Sequence, residues 1–312
     1  MTTALLPRGS RFGDIKLTGY VGSGGFSDVY AGEDPSGRRL AVKVLRLAGL
    51  EQEAQSIRIE REREALSKID SRGVAKLVSA NLSAEQPWIA SEFIDGPTLQ
   101  ESIDQDGPLS YEETLSLTRR LAEIVAELHA RGVAHRDITP NNVIFGPDGP
   151  VLIDFGSARI DLESSATGSI LLAGTPGFVP PEAEAGLTVG RMADVYALGR
   201  LAAHCSGERA LPDILLRAVL REPSSRPEAQ EVADTLASNQ ELINRSRSRT
   251  VAQLPRRISL TTLALSVEVR GEILWVAPSR RESVLVEILR YQRSHEGLAG
   301  PGSSLTPVLT RN

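Results

Sequence analysis

Apolar residues follow two rhythms along this chain, and the change between them divides it. Over residues 12–82 they come in short, β-branched runs around one charged stretch. Val21–Tyr30 and Leu40–Leu45 read as strands bracketing a turn at Asp34–Gly37, and Trp88–Ile94 reads as a further strand. Glu51–Ile69 is charged and contains Ala and Leu, which predicts a helix with few core positions. From Tyr111 the rhythm turns helical: Leu115, Leu121, Ile124, Val125 and Leu128 share one stripe that stops at Gly132. Short strands Val143–Phe145 and Val151–Ile153 follow, then a Ser/Gly-rich loop, then helices to about Ser238.

Beyond that point the pattern changes again. Arg245–Arg257 is rich in Arg and Ser and reads as a linker. Leu263, Leu265, Val267 and Val269 alternate with Ala264, Ser266, Glu268 and Arg270. With a turn near Gly271 and a run through Ile273–Val276, they predict a hairpin. Ser279 and Glu282 form a capping box for a helix carrying Leu285, Ile288 and Leu289, ending near Gly297. Three segments are therefore expected: a domain over 12–238, a basic linker over 239–258, and 259–312 as either a small hairpin-helix extension or a partly disordered tail.

Composition narrows the chemistry. The 312 residues are 41% hydrophobic, enough for a sizeable core, and a net charge of −5 argues against a nucleic-acid binder. The charge is uneven: residues 240–312 hold 11 Arg against 6 Glu, leaving the rest of the chain net negative by ten. One cysteine, Cys205, excludes a disulfide framework and a cysteine metal cluster. Neither a secretory leader nor an apolar run of about 18 residues is found, so the expected location is the cytoplasm. Only four lysines occur, at 16, 43, 68 and 76, which makes each one informative.

Candidate chemistry begins at Val21-Gly-Ser-Gly-Gly-Phe-Ser-Asp-Val29, where glycines between strands let backbone N–H groups approach phosphates. Ala41-Val-Lys43 places an ammonium in an apolar strand, where it needs an anionic partner. Glu62 is the expected partner, since Leu66 and Ile69 continue its helical stripe; Glu60 and Glu64 are the alternatives. His135-Arg-Asp-Ile-Thr-Pro-Asn-Asn142 sets a carboxylate and a carboxamide five residues apart in a loop. Asp137 can take a proton from an attacking hydroxyl, and Asn142 can hold a metal. Asp154, opening Asp154-Phe-Gly156, offers a second hard oxygen ligand for Mg²⁺.

In this order and spacing the segments resemble the eukaryotic-type (Hanks) protein kinase superfamily. Gly174-Thr-Pro-Gly-Phe-Val-Pro-Pro-Glu182 is similar to the end of a kinase activation segment. Asp194-Val-Tyr-Ala-Leu-Gly199 is similar to the start of the buried central helix, and Arg226 to the arginine that pairs with the Glu182 position. Among bacterial members the chain looks like the actinobacterial receptor-type Ser/Thr kinases, without their membrane anchor. The resemblance implies an α+β bilobal fold over 12–238: an N-lobe to about residue 94 with an antiparallel sheet and one helix, and a mainly helical C-lobe with a shortened substrate-docking region.

It also implies ATP with Mg²⁺ or Mn²⁺, and a protein substrate. Nucleotide contacts would come from Val21, Gly22, Ser23, Gly24, Gly25, Phe26 and Val29, from Ala41, Lys43 and Glu62, from a hinge at Glu92–Ile94 beside Ser91, and from Ile144. Asp137, Lys43, Asn142 and Asp154 would be catalytic, the last two as metal ligands. Leu66, Leu77, His135, Phe155 and Asp194 would form an internal stack aligning the lobes. Arg136 would receive an activation-loop phosphate, with Thr167 and Ser169 favoured over Ser164 and Ser165. No specific nucleic acid and no membrane span is implied; a dimer or a tail-mediated partner stays open.

Three departures stand out. Thr139 occupies the place of a lysine that touches the γ-phosphate, Ser27 replaces the third loop glycine, and Glu182 to Arg226 is shorter than in the family. Two other readings follow: a catalytically weak pseudokinase scaffold, or a small-molecule kinase of the aminoglycoside phosphotransferase type. The latter shares His-x-Asp-x-x-x-x-Asn but lacks the Gly-Thr-Pro…Pro-Glu segment and the arginine partner.

Overall fold

The structure is a computed structural model that describes residues 5–24, 27–46, 52–146, 148–160, 175–207, 211–239, 265–269 and 272–276. The chain divides into two compact units, Met1–Gln240 and Glu241–Asn312. In the first, strands β1 (Arg11–Phe12), β2 (Ile15–Ser23), β3 (Ser27–Glu33), β4 (Arg39–Leu45), β5 (Leu77–Asn81) and β6 (Trp88–Glu92) form one antiparallel sheet, in the order β1-β2-β3-β4-β6-β5. Alternation along β4 sends Leu40, Val42 and Val44 into a core with Leu17, Tyr30, Trp88 and Ala90, and turns Ala41 and Lys43 to the other face. Helix α1 (Gln52–Ser67) packs beside the sheet. Its buried residues Gln55, Ile59, Glu62 and Leu66 repeat at helical spacing.

The run Val21–Tyr30 is not one strand. It comprises the end of β2, the turn, and the start of β3, with Gly24 N–H bonded to Ser27 O at 2.9 Å. Residues on both sides of the glycines are strand formers, so periodicity alone merges the two.

The C-lobe is built from helices. Helix α2 (Leu99–Asp106) is capped by Thr98 and Glu101 in a reciprocal box, and α3 (Tyr111–Ala130) by Ser110 and Glu113 in the same way. Strand β7 (Val133–Ala134) pairs with β10 (Arg159–Ile160), and β8 (Val143–Gly146) with β9 (Gly149–Leu152). Then follow α4 (Pro181–Glu184), α5 (Met192–Ser206), α6 (Asp213–Ala218) and a last helix over 229–239. Leu121, Val125 and Leu128 of α3 and Leu198, Leu201 and Ala202 of α5 are fully buried where the two helices pack. Only six residues separate α5 from α6, so no docking helix fits between them. The two helices touch at Gly199, where a Cβ would meet Val219 at 2.7 Å.

In the second unit β11 (Leu265–Val269) pairs antiparallel with β12 (Glu272–Val276). The helix expected after Ser279 lies outside the described residues.

A buried ion pair closes the C-lobe. Arg226 donates to both carboxylate oxygens of Glu182, at 2.8 and 2.6 Å, and to the carbonyls of Leu220, Met192 and Arg221. Its guanidinium also lies 5.0 Å from the Tyr196 ring centroid. Removing one partner strands a buried charge. Arg226→Ala is therefore expected to cost about 3–5 kcal/mol of unfolding free energy in urea, while Glu182→Leu combined with Arg226→Met recovers most of it. A single-variant loss below about 1 kcal/mol would contradict the assignment.

Candidate active site

Lys43 projects from β4 into a cluster of carboxylates. Its Nζ lies 2.8 Å from Glu62 Oε2 and 2.6 Å from Asp154 Oδ1. Among the three glutamates in question, Glu62 alone faces inward; Glu60 pairs with Arg63 and Glu64 with Lys68 on the outside. Burial alone would push the Lys43 ammonium down, but Asp154 and Glu62 more than offset this and hold its pKa above the ordinary lysine value. Burial raises Glu62 against the pull of Lys43. The Lys43 ammonium holds Asp154 down at about 2, against desolvation. Gly156 lies under this cluster: its N–H bonds Asp154 Oδ1 at 3.1 Å, and a Cβ there would stand 3.1 Å from the same oxygen.

The loop carrying Asp137 is anchored from below by Asp194, which is fully buried at the start of α5. Asp194 accepts from His135 N–H at 2.9 Å, Arg136 N–H at 2.6 Å and His129 Nε2 at 2.9 Å. Burial works against its charge, yet the His129 bond and the other donors keep its pKa below the ordinary value. His135 Nε2 bonds the Ile153 carbonyl at 3.2 Å and its Nδ1 accepts from Asp137 N–H at 3.3 Å, the pattern of an Nε2–H tautomer. Its ring meets Phe155 edge-on with centroids 4.5 Å apart. Leu66 is also buried, and Leu77 is half-buried on β5. Two non-glycine residues here take left-handed backbone, Arg136 (φ 67°) and Asp154 (φ 61°).

Asp137 and Asn142 meet directly. Asn142 Nδ2 donates to the Asp137 carbonyl at 2.9 Å and to Asp137 Oδ2 at 3.1 Å, and Thr175 Oγ1 lies 3.4 Å from Oδ1. Burial raises the Asp137 pKa, and the nearby Asp154 charge adds to this against the effect of His135. With its amide nitrogen spent on Asp137, Asn142 has its carboxamide oxygen left for a cation. Asp154 is 44% exposed and uses one oxygen, Oδ1, for Lys43 and Gly156. Two hard oxygens of this kind fit a divalent ion such as Mg²⁺ or Mn²⁺. Thr139 is 1% exposed, and its Oγ1 has no partner among the described residues.

Val21, Gly22 and Ser23 end β2, Gly24 follows, and Val29 lies in β3 opposite Gly22 and Lys43. Gly25, Phe26, Ser164, Ser165, Thr167 and Ser169 lie outside the described residues. Ala41 faces Ser91 across β4 and β6, and Ser91 is half-buried. Glu92 ends β6, and the chain continues through Phe93 and Ile94. Ile144 in β8 bridges to Thr98. The hinge is fastened to β4: Phe93 N–H bonds the Arg39 carbonyl at 3.3 Å, the Arg39 guanidinium stands 4.2 Å over the Phe93 ring, and it also pairs with Asp95.

Sequence reasoning missed two contributors. Helix α2 was signalled by Thr98-x-x-Glu101, a capping box. Arg46, which bonds the Gly24 carbonyl and lies 3.4 Å from Asp28, ties together both sides of the Gly-rich turn and had no local signal.

A profile of the protein kinase domain matches residues 15–241. The chain is similar to "Probable serine/threonine-protein kinase PkwA" of Thermomonospora curvata, 33% identical over 228 residues that cover 72% of this chain and 31% of the relative. It is similar to "Serine/threonine-protein kinase AfsK" of Streptomyces coelicolor, 33% identical over 192 residues, 61% of this chain and 24% of that one. "Serine/threonine-protein kinase pkn2" of Myxococcus xanthus is 30% identical over 269 residues, 72% and 32%. The matched part thus spans about a quarter to a third of these relatives. The two-lobed fold and the profile agree, and the chain belongs to the protein kinase domain family, which uses ATP and a divalent metal to phosphorylate proteins.

Proposed function

We propose that this chain transfers the γ-phosphoryl group of ATP to Ser or Thr hydroxyls of proteins. The observation that carries the reading is Lys43, held at 2.8 and 2.6 Å between Glu62 and Asp154 in the active site that also holds the Asp137–Asn142 pair. Adenine would lie against the backbone of Glu92 and Ile94, with Val29 and Ala41 on one side, Ile144 on the other and Val21 at the mouth. Lys43 binds the α- and β-phosphates, and the β2–β3 turn covers them. Asn142, through its carboxamide oxygen, and Asp154 would hold Mg²⁺ or Mn²⁺, which when bound neutralises charge on the phosphate oxygens. Asp137 orients the acceptor hydroxyl and takes its proton as the new P–O bond forms and the bond to the β-phosphate oxygen breaks. Asn142 fixes the carboxylate for that task. Thr139 adds no cation, so Lys43 is the ammonium available to the nucleotide in this arrangement. The similarity to proteins named as serine/threonine-protein kinases supports Ser/Thr as the acceptor.

Among the described residues no helix is long and apolar enough to cross a membrane. A cytoplasmic location suits a consumer of ATP whose one cysteine is buried.

Regulation by autophosphorylation belongs to the same reading. Burial lowers the Arg136 pKa, with Arg159 and Arg61 adding to the effect against Asp194; burial, Arg159 and Arg58 do the same at Arg61. Arg136 Nε is buried without a partner among the described residues. Such a cationic centre suits a phosphate on Thr167 or Ser169. After incubation with Mg-ATP, mass spectrometry should find phosphate on the 157–173 peptide; an active enzyme with that peptide unmodified would refute this part.

Lys43→Met and Asp154→Asn are each expected to reduce ³²P transfer to casein by about 10²-fold or more, and Asp137→Asn by about 10²–10⁴-fold. Full activity in both of the first two variants would overturn these roles. The pH profile gives a further check. Asp137 must be ionised to act, and its pKa is raised. The acid limb of kcat/KM should therefore begin above the ordinary aspartate range, with activity lost as pH falls through it. An acid limb at or below the ordinary aspartate value would refute the assignment.

A further inference from the structure

We infer that Arg200 selects acceptor sequences carrying a carboxylate or phosphate group beside the target hydroxyl; the inference rests on the phosphotransfer reading above and names its substrate class. The path of the chain past Asp137 provides the first observation. Thr175 lies 3.4 Å from that carboxylate, so a peptide whose hydroxyl reaches Asp137 comes up beside the segment that starts at Thr175. Two residues on, the Gly177 carbonyl accepts a hydrogen bond from Arg200 Nε at 2.7 Å. Next along, Phe178 stands edge-on to His204, with ring centroids 5.9 Å apart. Arg200 and His204 are one turn apart on α5, and both are exposed.

The second observation is electrostatic. A carbonyl partner occupies one N–H of the guanidinium without neutralising it. No carboxylate pairs with Arg200 among the described residues, and several acids of the same lobe are engaged with other partners. Asp104 accepts from Gln100 Nε2 at 2.8 Å, and Gln100 Oε1 meets His204 Nε2 at 3.2 Å. Glu101 caps Thr98, Glu182 is held by Arg226, and Glu228 pairs with Arg191. Arg200 is thus an uncompensated cation beside the peptide path, in the part of the chain that is net negative by ten. A guanidinium with free Nη groups matches a carboxylate or phosphate fork. Arg200 and His204 are exposed on α5, and only six residues connect that helix to α6.

Peptides that differ only in the residues flanking one serine, Glu or phosphoserine against Ala against Arg, test this on the full chain with labelled ATP. Wild type should use the Glu or phosphoserine peptides about fivefold better than the Ala peptide and prefer Arg least, mainly through KM. The ratio should shrink at high salt. Arg200→Gln, which retains a donor for Gly177, should bring the Glu-to-Ala ratio near one, Arg200→Lys should keep it, and Arg200→Glu should reverse it. Ratios are read because a general loss of activity does not move them. A wild-type ratio near one, a preference for Arg, or an unchanged ratio in Arg200→Gln overturns the inference. Should a variant fail to fold, the wild-type ratio and its salt dependence decide. Absence of transfer to every peptide and to casein refutes the phosphotransfer reading itself, and with it this inference.

Discussion

A lysine ammonium withdrawn from water must be met by negative charge, and at Lys43 that charge comes from two distant parts of the chain. The strand supplies the cation, α1 supplies Glu62, and the turn after β9 supplies Asp154. Glu62 is buried and Lys43 nearly so, so α1 cannot move away from the strand without leaving an unpaired buried charge, which costs about 3–5 kcal/mol. The same cluster fixes the position of α1 against the sheet and the direction of the segment beginning at Asp154. Under the phosphotransfer reading proposed above, nucleotide phosphates would replace part of this carboxylate charge at the lysine, which would make the resting arrangement a template for the bound one.

The loop carrying Asp137 depends on a different balance. Asp194 is buried, and its carboxylate is held below the ordinary pKa against burial, by the His129 bond first and then by the backbone N–H groups of His135 and Arg136. The last two donors belong to the loop itself, so the carboxylate and the loop conformation specify one another. The left-handed backbone at Arg136 shows how firmly it is held, since a non-glycine residue in that region is strained by about 1–3 kcal/mol. Asp154 bears a similar strain on the opposite side of the site. Both residues flank the atoms that would do chemistry; Arg136 is fastened by Asp194 of the helical lobe, and Asp154 by Lys43 of the sheet and the N–H of Gly156.

Much of this was legible in the sequence, because the decisive residues obey local rules. Glu62 could be chosen from its stripe with Leu66, and Asp137, Asn142 and Asp154 stand at fixed spacings in short segments. The α3 stripe ending at Gly132 predicted its helix closely. Other features depend on tertiary contacts that no local rule encodes. Arg46 reaches back across the sheet to Gly24, and Arg200 reaches Gly177 from another element, 23 residues away. The Val21–Tyr30 run failed for a simpler reason: strand-forming residues continue on both sides of a turn that only the glycines announce. Helix α2 carried its capping signal but is short, with a single buried apolar residue, Leu99, so periodicity was too weak to reveal it.

The pair Glu182–Arg226 joins residues 44 positions apart, across the stretch where the chain is abbreviated. Closing such a loop costs entropy that grows only with the logarithm of its length, so halving or doubling it changes the balance by about 0.6 kcal/mol. That is small beside the electrostatic grip at its base. Length in this stretch is therefore nearly neutral for folding. An insertion there can be lost or gained without unsettling the lobe that carries it, so this stretch is free to vary in length while the two residues that close it stay fixed.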